Sequence, residues 1–189
     1  LVSIDAGVGK CHLEIPLSRS EFFSALSREC ELDISDDFSL FSNLSSLAKI
    51  KKLRLFPCVI EILKELKERG AGVYLVSNAQ ACFTKDELDE LSITTLFDGI
   101  LISSDAGVKK PDTEIFEIAF EKFSLNKDEC FYVGNDLHDD VLGAHSAGIK
   151  TVYIETEQSG KYEGLDIAPD YTVTTHYEMK DLLIKLAGK

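Results

Sequence analysis

Residues 132–144 read Tyr132-Val133-Gly134-Asn135-Asp136-Leu137-His138-Asp139-Asp140-Val141-Leu142-Gly143-Ala144, an apolar strand that runs into an acidic turn and then a helix. The strand leads in through Cys130-Phe131-Tyr132-Val133, Gly134 allows a sharp turn, and the helical spacing continues through Val141, Ala144 and Ile149. Asp136 and Asp140 stand four apart. Carboxylates gathered at the carboxyl end of a strand bind cations, and an oxygen-only set without a Cys or His cluster suits a hard ion, Mg²⁺ in particular. A plainer role also fits: Asp136, Asp139 and Asp140 can cap a first helical turn, where negative charge is favoured without any ligand.

Three further stretches have the same form, an apolar run ending in polar residues. Leu1-Val2-Ser3-Ile4 presents Asp5, with Gly7 and Gly9 following. Val73-Tyr74-Leu75-Val76 ends in Ser77-Asn78, a hydroxyl and an amide that can hydrogen-bond an anionic oxygen. Ile100-Leu101-Ile102 leads to Ser103-Ser104-Asp105 and then Lys109-Lys110-Pro111, after which Ile115, Phe116, Ala119 and Phe120 recur at helical spacing. A lysine directly before a proline at a helix start is held where anions bind. In chain order these stretches supply a carboxylate, a hydroxyl, an ammonium and an acidic pair.

In that order the chain resembles the haloacid dehalogenase-like (HAD) hydrolases, over nearly its whole length. The resemblance is carried by Leu75-Val76-Ser77-Asn78, by Val108-Lys109-Lys110-Pro111-Asp112-Thr113-Glu114-Ile115-Phe116, and by Val133 to Ala144 with Gly148-Ile149. It implies a nucleophilic Asp5, a phosphate-binding Ser77 with Asn78 beside it, and a charge-neutralising Lys110. It also implies Mg²⁺ held by Asp5, the Gly7 carbonyl and Asp136, with Asp140 a direct ligand or just behind one. The activity implied is hydrolysis of a phosphate monoester through an aspartyl-phosphate, on a small phosphorylated metabolite. Two alternatives stay open: carbon–halogen hydrolysis as in the dehalogenases, and a noncatalytic protein that binds a phosphorylated metabolite.

One departure bears on mechanism. Phosphatases of this superfamily carry Asp-x-Asp-Gly-Thr, in which the second aspartate protonates the leaving group and then activates water. Here Asp5-Ala6-Gly7-Val8-Gly9 puts glycine at that position. Glycine cannot shuttle a proton, and loss of a general acid or base costs about 100-fold to 10,000-fold. A weak phosphatase is the expectation.

The 189 residues, 44% hydrophobic and 28% charged, suffice for one substantial core and a small accessory module. With 33 acidic against 20 basic residues the formal charge is −13, which disfavours nonspecific binding to nucleic acid or anionic membranes. Cys11, Cys30, Cys58, Cys82 and Cys130 are odd in number and unpaired in spacing, so no disulfide framework is expected, and a reducing cytoplasm fits. No apolar run is long enough to span a bilayer and no leader pattern precedes Asp5. The first strand is short, and residues upstream of Leu1 are expected. A monomer or homodimer fits the rest.

Strand and helix alternate along most of the chain, which implies an α/β fold: a Rossmann-like three-layer sandwich around a central parallel sheet. Strands are expected near 1–5, 73–76, 100–102, 130–133, 151–154 and 171–173, and helices over 59–69, 84–91, 112–123, 139–147 and 177–187. Ile60, Leu63 and Leu66 form the apolar stripe of the helix after Pro57, and Gly70 ends it. Residues 10–56 break the alternation. They read as a small helical cap inserted after strand one, with helices over 20–30 and 40–50, leaving residues 1–9 and 57–189 as the core. Caps exclude water and choose substrates. Arg19, Arg28 and Lys49 could meet an anion there, though such residues are more often an ordinary solvated face.

Several other signals carry less. Gly7-Val8-Gly9-Lys10 fails as a phosphate loop, since Ile4 stands where glycine is needed and Cys11 where Ser or Thr is needed. Asp5-Ala6-Gly7-Val8 recurs as Asp105-Ala106-Gly107-Val108 without further similarity. His12, His138, His145 and His176 are scattered, and only His138 neighbours the acidic pair. Cys82 has no paired histidine and reads as a small apolar filler.

Overall fold

A computed structural model of the chain describes residues 2–4 and 54–188, apart from the side chains of residues 2–4 and of Cys82 and Phe83. The chain divides into two compact units, Leu1–Gly9 with Arg54–Lys189, and Lys10–Leu53. The expected cap helices, Arg19, Arg28 and Lys49 lie outside the described residues.

Apolar runs buried on both faces form the sheet. Along β2 (Val73–Ser77) Leu75 packs into one core cluster and Val76 into the other, and along β4 (Phe131–Gly134) Val133 and Tyr132 divide in the same way. With β1 (Val2–Ile4), β3 (Gly99–Ile102), β5 (Lys150–Ile154) and β6 (Tyr171–Val173) they make a six-stranded sheet in the order β3-β2-β1-β4-β5-β6, parallel throughout. The expected α/β architecture is present.

Helices cover both faces. On one side α1 (Val59–Glu68) and α6 (His176–Ala187) bury Ile62, Leu63, Leu66, Met179 and Leu183 against Leu75, Val133 and Val152. On the other, α4 (Glu114–Phe123) brings Ile115, Phe116 and Ala119 onto Val76, Leu101 and Tyr132. Between them in sequence lie α2 (Ala81–Glu90) and the short α3 (Ser103–Ala106).

The stripe of α1 differs from the sequence reading. Its buried residues are Val59, Ile62, Leu63 and Leu66, and Ile60 is 40% exposed. Apolar residues at 59, 60, 62 and 63 allow two helical phases, and packing against the sheet selects the one with spacing i, i+3, i+4, i+7. Gly70 ends the helix as expected, at φ 79°, with Ala71 N–H donating to Leu66 O at 3.0 Å. Leu55 and Phe56, read from sequence as part of the insertion, pack on the α1 and α6 side of the core.

The stretch after β4 also departs from a plain helix. A wide π-helical turn, Leu137–Leu142, precedes the short α5 (Gly143–Ser146), and Val141 N–H reaches back five residues to Asp136 O at 3.1 Å.

The sheet order fixes where ligands can bind. From β1 the chain steps outward through β2 to β3, then returns to the other side of β1 for β4. The carboxyl ends of β1 and β4 flank this switch point, with Ile4 in register with Val133.

At the edge of the core, the ring of His176 stacks on Phe56 with centroids 4.5 Å apart, and burial lowers its pKa below the ordinary imidazole value. The native state therefore favours the neutral ring and the unfolded chain takes the proton first. This group's contribution is complete above about pH 6.5 and is lost as pH falls from there through the depressed native value. We expect the urea midpoint to drop more between about pH 7 and pH 5 in the parent than in His176→Leu. Identical drops would remove His176 as a source of acid sensitivity.

Candidate active site

Three of the strand-end motifs meet at the carboxyl edge of the sheet. Ser77 is the last residue of β2, half-buried and in register with Ile102. Its hydroxyl has no hydrogen-bond partner among the described residues. Asn78 follows, and its amide grips the backbone of Lys110: Lys110 N–H donates to Oδ1 at 2.8 Å, and Nδ2 donates to Lys110 O at 2.9 Å. Nδ2 also donates to Asp139 Oδ2 at 3.1 Å. One amide thus joins the loop after β2, the Lys110-Pro111 segment, whose peptide bond is cis, and the turn after β4.

Of the two adjacent lysines, Lys109 is exposed and Lys110 is 2% exposed. The Lys110 ammonium donates to Asp140 Oδ1 at 2.6 Å and to the Tyr132 hydroxyl at 2.7 Å. Asp140 is 1% exposed, and its Oδ2 accepts from Asn135 N–H at 3.1 Å and Asp136 N–H at 3.0 Å. Leaving one member of such a pair alone in the interior costs about 3–5 kcal/mol.

Local sequence makes this pocket possible. A Cβ on Gly134 would collide with Cβ, Cγ and Oδ2 of Asp140, so the missing side chain is the space that the carboxylate fills. At Gly143 a Cβ would stand 3.0 Å from Pro111 Cα, so the helix after the wide turn lies close against the Lys110-Pro111 segment.

Asp136 is placed differently. It caps the wide turn, Oδ1 accepting from His138 N–H at 2.9 Å and Asp139 N–H at 2.8 Å. Its Oδ2 accepts from the Tyr162 hydroxyl at 2.6 Å. That bond, with burial and the neighbouring aspartates, pushes the Tyr162 pKa up to about 12, so the phenol stays a neutral donor at ordinary pH. His138 lies alongside the Tyr162 ring at 5.8 Å, and its Nδ1 is 2.8 Å from Asp139 Oδ1.

The plain reading thus holds for Asp136, which caps a turn, and not for Asp140, which is turned inward onto the lysine. Among the described residues no three His, Cys, Asp or Glu side chains gather as a metal site. Asp5 and Gly7 lie outside those residues. The donor chemistry that is described, the half-buried carboxylate of Asp136 at the switch point, fits a hard cation completed by further oxygen ligands.

Two residues of this arrangement escaped the sequence reading. Tyr132 passed for an apolar strand residue, although a Tyr inside a doubly buried strand signals a hydroxyl that needs a partner. Tyr162 stands in the irregular segment between β5 and β6, where no spacing pattern marks it.

The chain belongs to the haloacid dehalogenase-like hydrolases, whose family model matches residues 18–154 of its 189. It is 33% identical over 144 residues to a glyceraldehyde 3-phosphate phosphatase of Methanopyrus kandleri, an alignment covering 74% of this chain and 60% of that protein. A ribulose-1,5-bisphosphate 5-phosphatase of Halopiger xanaduensis is 29% identical over 142 residues, covering 72% and 59%. The chain thus spans about three fifths of the length of these relatives. Its fold matches the crystal structure of a HAD phosphatase from Thermococcus onnurineus with a TM-score of 0.66 and 24% identity, over 85% of this chain and 70% of that one.

The fit between Gly134 and Asp140 gives a direct test. Gly134→Ala should displace the carboxylate from Lys110 and destabilise the protein by about 3 kcal/mol, read as a lowered denaturation midpoint. Gly143→Ala, which meets its neighbours at 3.0–3.2 Å, should cost less. A parent-like midpoint for Gly134→Ala would show that the ion pair tolerates the displacement.

Proposed function

We propose that this protein is a Mg²⁺-dependent phosphatase of small phosphorylated metabolites, working through Asp5. The observation that carries the reading is the ammonium of Lys110, buried at the strand ends, fixed at its backbone by Asn78 and at its head by Asp140 and Tyr132. A cation held with that much protein structure beside the open hydroxyl end of β2 suits an anionic, phosphoryl-bearing substrate. The phosphatases among its relatives support the same class.

Asp5 directly follows Ile4 in sequence, and Ile4 is in register with Val133 of β4. In the reaction a carboxylate oxygen of Asp5 attacks phosphorus, the ester P–O bond breaks, and the alcohol leaves as its oxyanion. Ser77 orients the phosphoryl oxygens and Lys110 offsets their charge. Water then attacks the aspartyl-phosphate, breaks the P–O bond to Asp5, and releases phosphate and a proton. Asp5, the Gly7 carbonyl and Asp136 would hold Mg²⁺, which when bound supplies further charge compensation on those oxygens. Asp140 is assigned to holding Lys110 and the β4 turn rather than to the ion, because it is 1% exposed and already faces one cation, the Lys110 ammonium, whereas Asp136 is half-buried and would exchange its Tyr162 bond for the ion. Asn78 likewise acts through Lys110, both its donors being committed to protein acceptors. A cytoplasmic setting accords with the chemistry; among the described residues no helix is long and apolar enough to cross a membrane.

The primary test is hydrolysis of p-nitrophenyl phosphate with and without Mg²⁺. Metal-dependent turnover is expected, lost in Lys110→Ala and nearly unchanged in Lys109→Ala. Asp136→Asn should raise the Mg²⁺ concentration required. Release of halide from a haloacid with no phosphate hydrolysis would overturn the reading.

Glycine at position 7 adds a second expectation. With no side chain there to protonate the leaving oxygen, aryl phosphates should be hydrolysed at least about 100-fold faster than simple alkyl phosphates. Gly7→Asp should raise the alkyl rate more than the aryl rate. Equal rates on the two ester classes in the parent would mean that another group delivers the proton.

A further inference from the structure

Tyr132 has an oxygen that its packing does not require. The ring is 1% exposed and sits edge-on to Phe116, centroids 5.2 Å apart with planes at 81°, an environment that phenylalanine would fill equally well. The hydroxyl lies 2.7 Å from Lys110 Nζ, 3.1 Å from Val76 O and 3.3 Å from Asp140 Oδ1. An ammonium can only donate, so the phenol oxygen accepts from Lys110. Val76 O lies within reach of its proton, nearer than Asp140 Oδ1.

Val76 is the residue before Ser77. The hydroxyl on β4 therefore reaches the backbone of β2, although β1 lies between those strands in the sheet. Asp140 fixes the ammonium from the turn after β4, and Tyr132 fixes it against the strand that carries the serine. Asp140 supplies opposite charge, while Tyr132 supplies a direction and a link to Ser77.

We propose that Tyr132 is a positioning residue: through its hydroxyl it sets the Lys110 ammonium relative to Ser77, so that hydroxyl and cation meet the same phosphoryl group. This rests on the phosphatase reading above and assigns Tyr132 no contact with substrate. Removing the hydroxyl should leave the core filled, the Lys110–Asp140 pair formed, and the ammonium misdirected.

The test is the affinity of orthovanadate, with Mg²⁺ present, for the parent chain, Tyr132→Phe and Phe116→Leu, alongside melting temperatures without anion. Tyr132→Phe should weaken vanadate about tenfold, as expected for one lost hydrogen bond to a charged group. Phe116→Leu disturbs the same packing and keeps the hydroxyl. It should lower the melting temperature yet hold vanadate within about twofold of the parent, a margin set by small packing effects. Equal vanadate affinity in the parent and Tyr132→Phe overturns the proposal alone, as does equal weakening by the two variants, which would make the role one of packing. A parent that binds no vanadate overturns the phosphatase reading and this proposal with it. A second measurement avoids any folding defect: in the parent labelled with ¹³Cζ-tyrosine, the Tyr132 resonance should shift on vanadate binding, and an unmoved resonance counts against the coupling.

Discussion

An ammonium and a carboxylate shut away from water, Lys110 and Asp140, set the terms for everything at the carboxyl edge of this sheet. Moving either charge out of water costs several kcal/mol, and their attraction repays that only when the remaining hydrogen-bonding capacity is also met. Here it is met from several directions. Backbone N–H groups of the β4 turn serve the carboxylate, a phenol serves the ammonium, and an asparagine amide grips the lysine backbone. Such a pair adds little net stability compared with an apolar core of the same volume. What it gives is a cation at a fixed point.

Neighbouring features follow from that requirement. The sheet is buried on both faces, so a charge at its edge must be reached by side chains from non-adjacent strands. Glycine at 134 leaves the space for the carboxylate, and the close contact of Gly143 with Pro111 brings the two loops together. The parallel order, which reverses at β1, lays the ends of β1 and β4 side by side. None of these features is catalytic by itself. Together they turn three separate loops into one surface.

The sequence disclosed the sheet well and the site unevenly, for physical reasons. Strands such as 73–77 and 131–134 stand out because a parallel strand covered on both faces is a nearly unbroken apolar run. The helix phase of α1 was misread because Val59, Ile60, Ile62 and Leu63 satisfy two stripes, and only the packed neighbours decide. Lys110 could be told from Lys109 by the proline that follows it. Asn78, Tyr132 and Tyr162 act on partners 32, 22 and 26 positions away, and their roles depend on strand order and on side-chain reach that local spacing does not encode. The wide turn after Asp136 was likewise hidden, since a bond across five residues leaves no periodic mark.

That turn has a consequence for how this stretch can vary in length. Val141 bonds back five residues where a regular helix would bond four, so Leu137–Leu142 holds one residue beyond a regular α-helical turn. A deletion of one residue there would regularise the turn and leave the following helix in phase, yet it would shorten the stretch whose backbone N–H groups hold both carboxylates, His138 and Asp139 serving Asp136, and Asn135 and Asp136 serving Asp140. The helix would improve while those bonds were reshuffled. Chain length between the two aspartates is thus constrained by the N–H groups it presents rather than by span, and insertions or deletions are better tolerated in the irregular stretch between β5 and β6 than in this short turn.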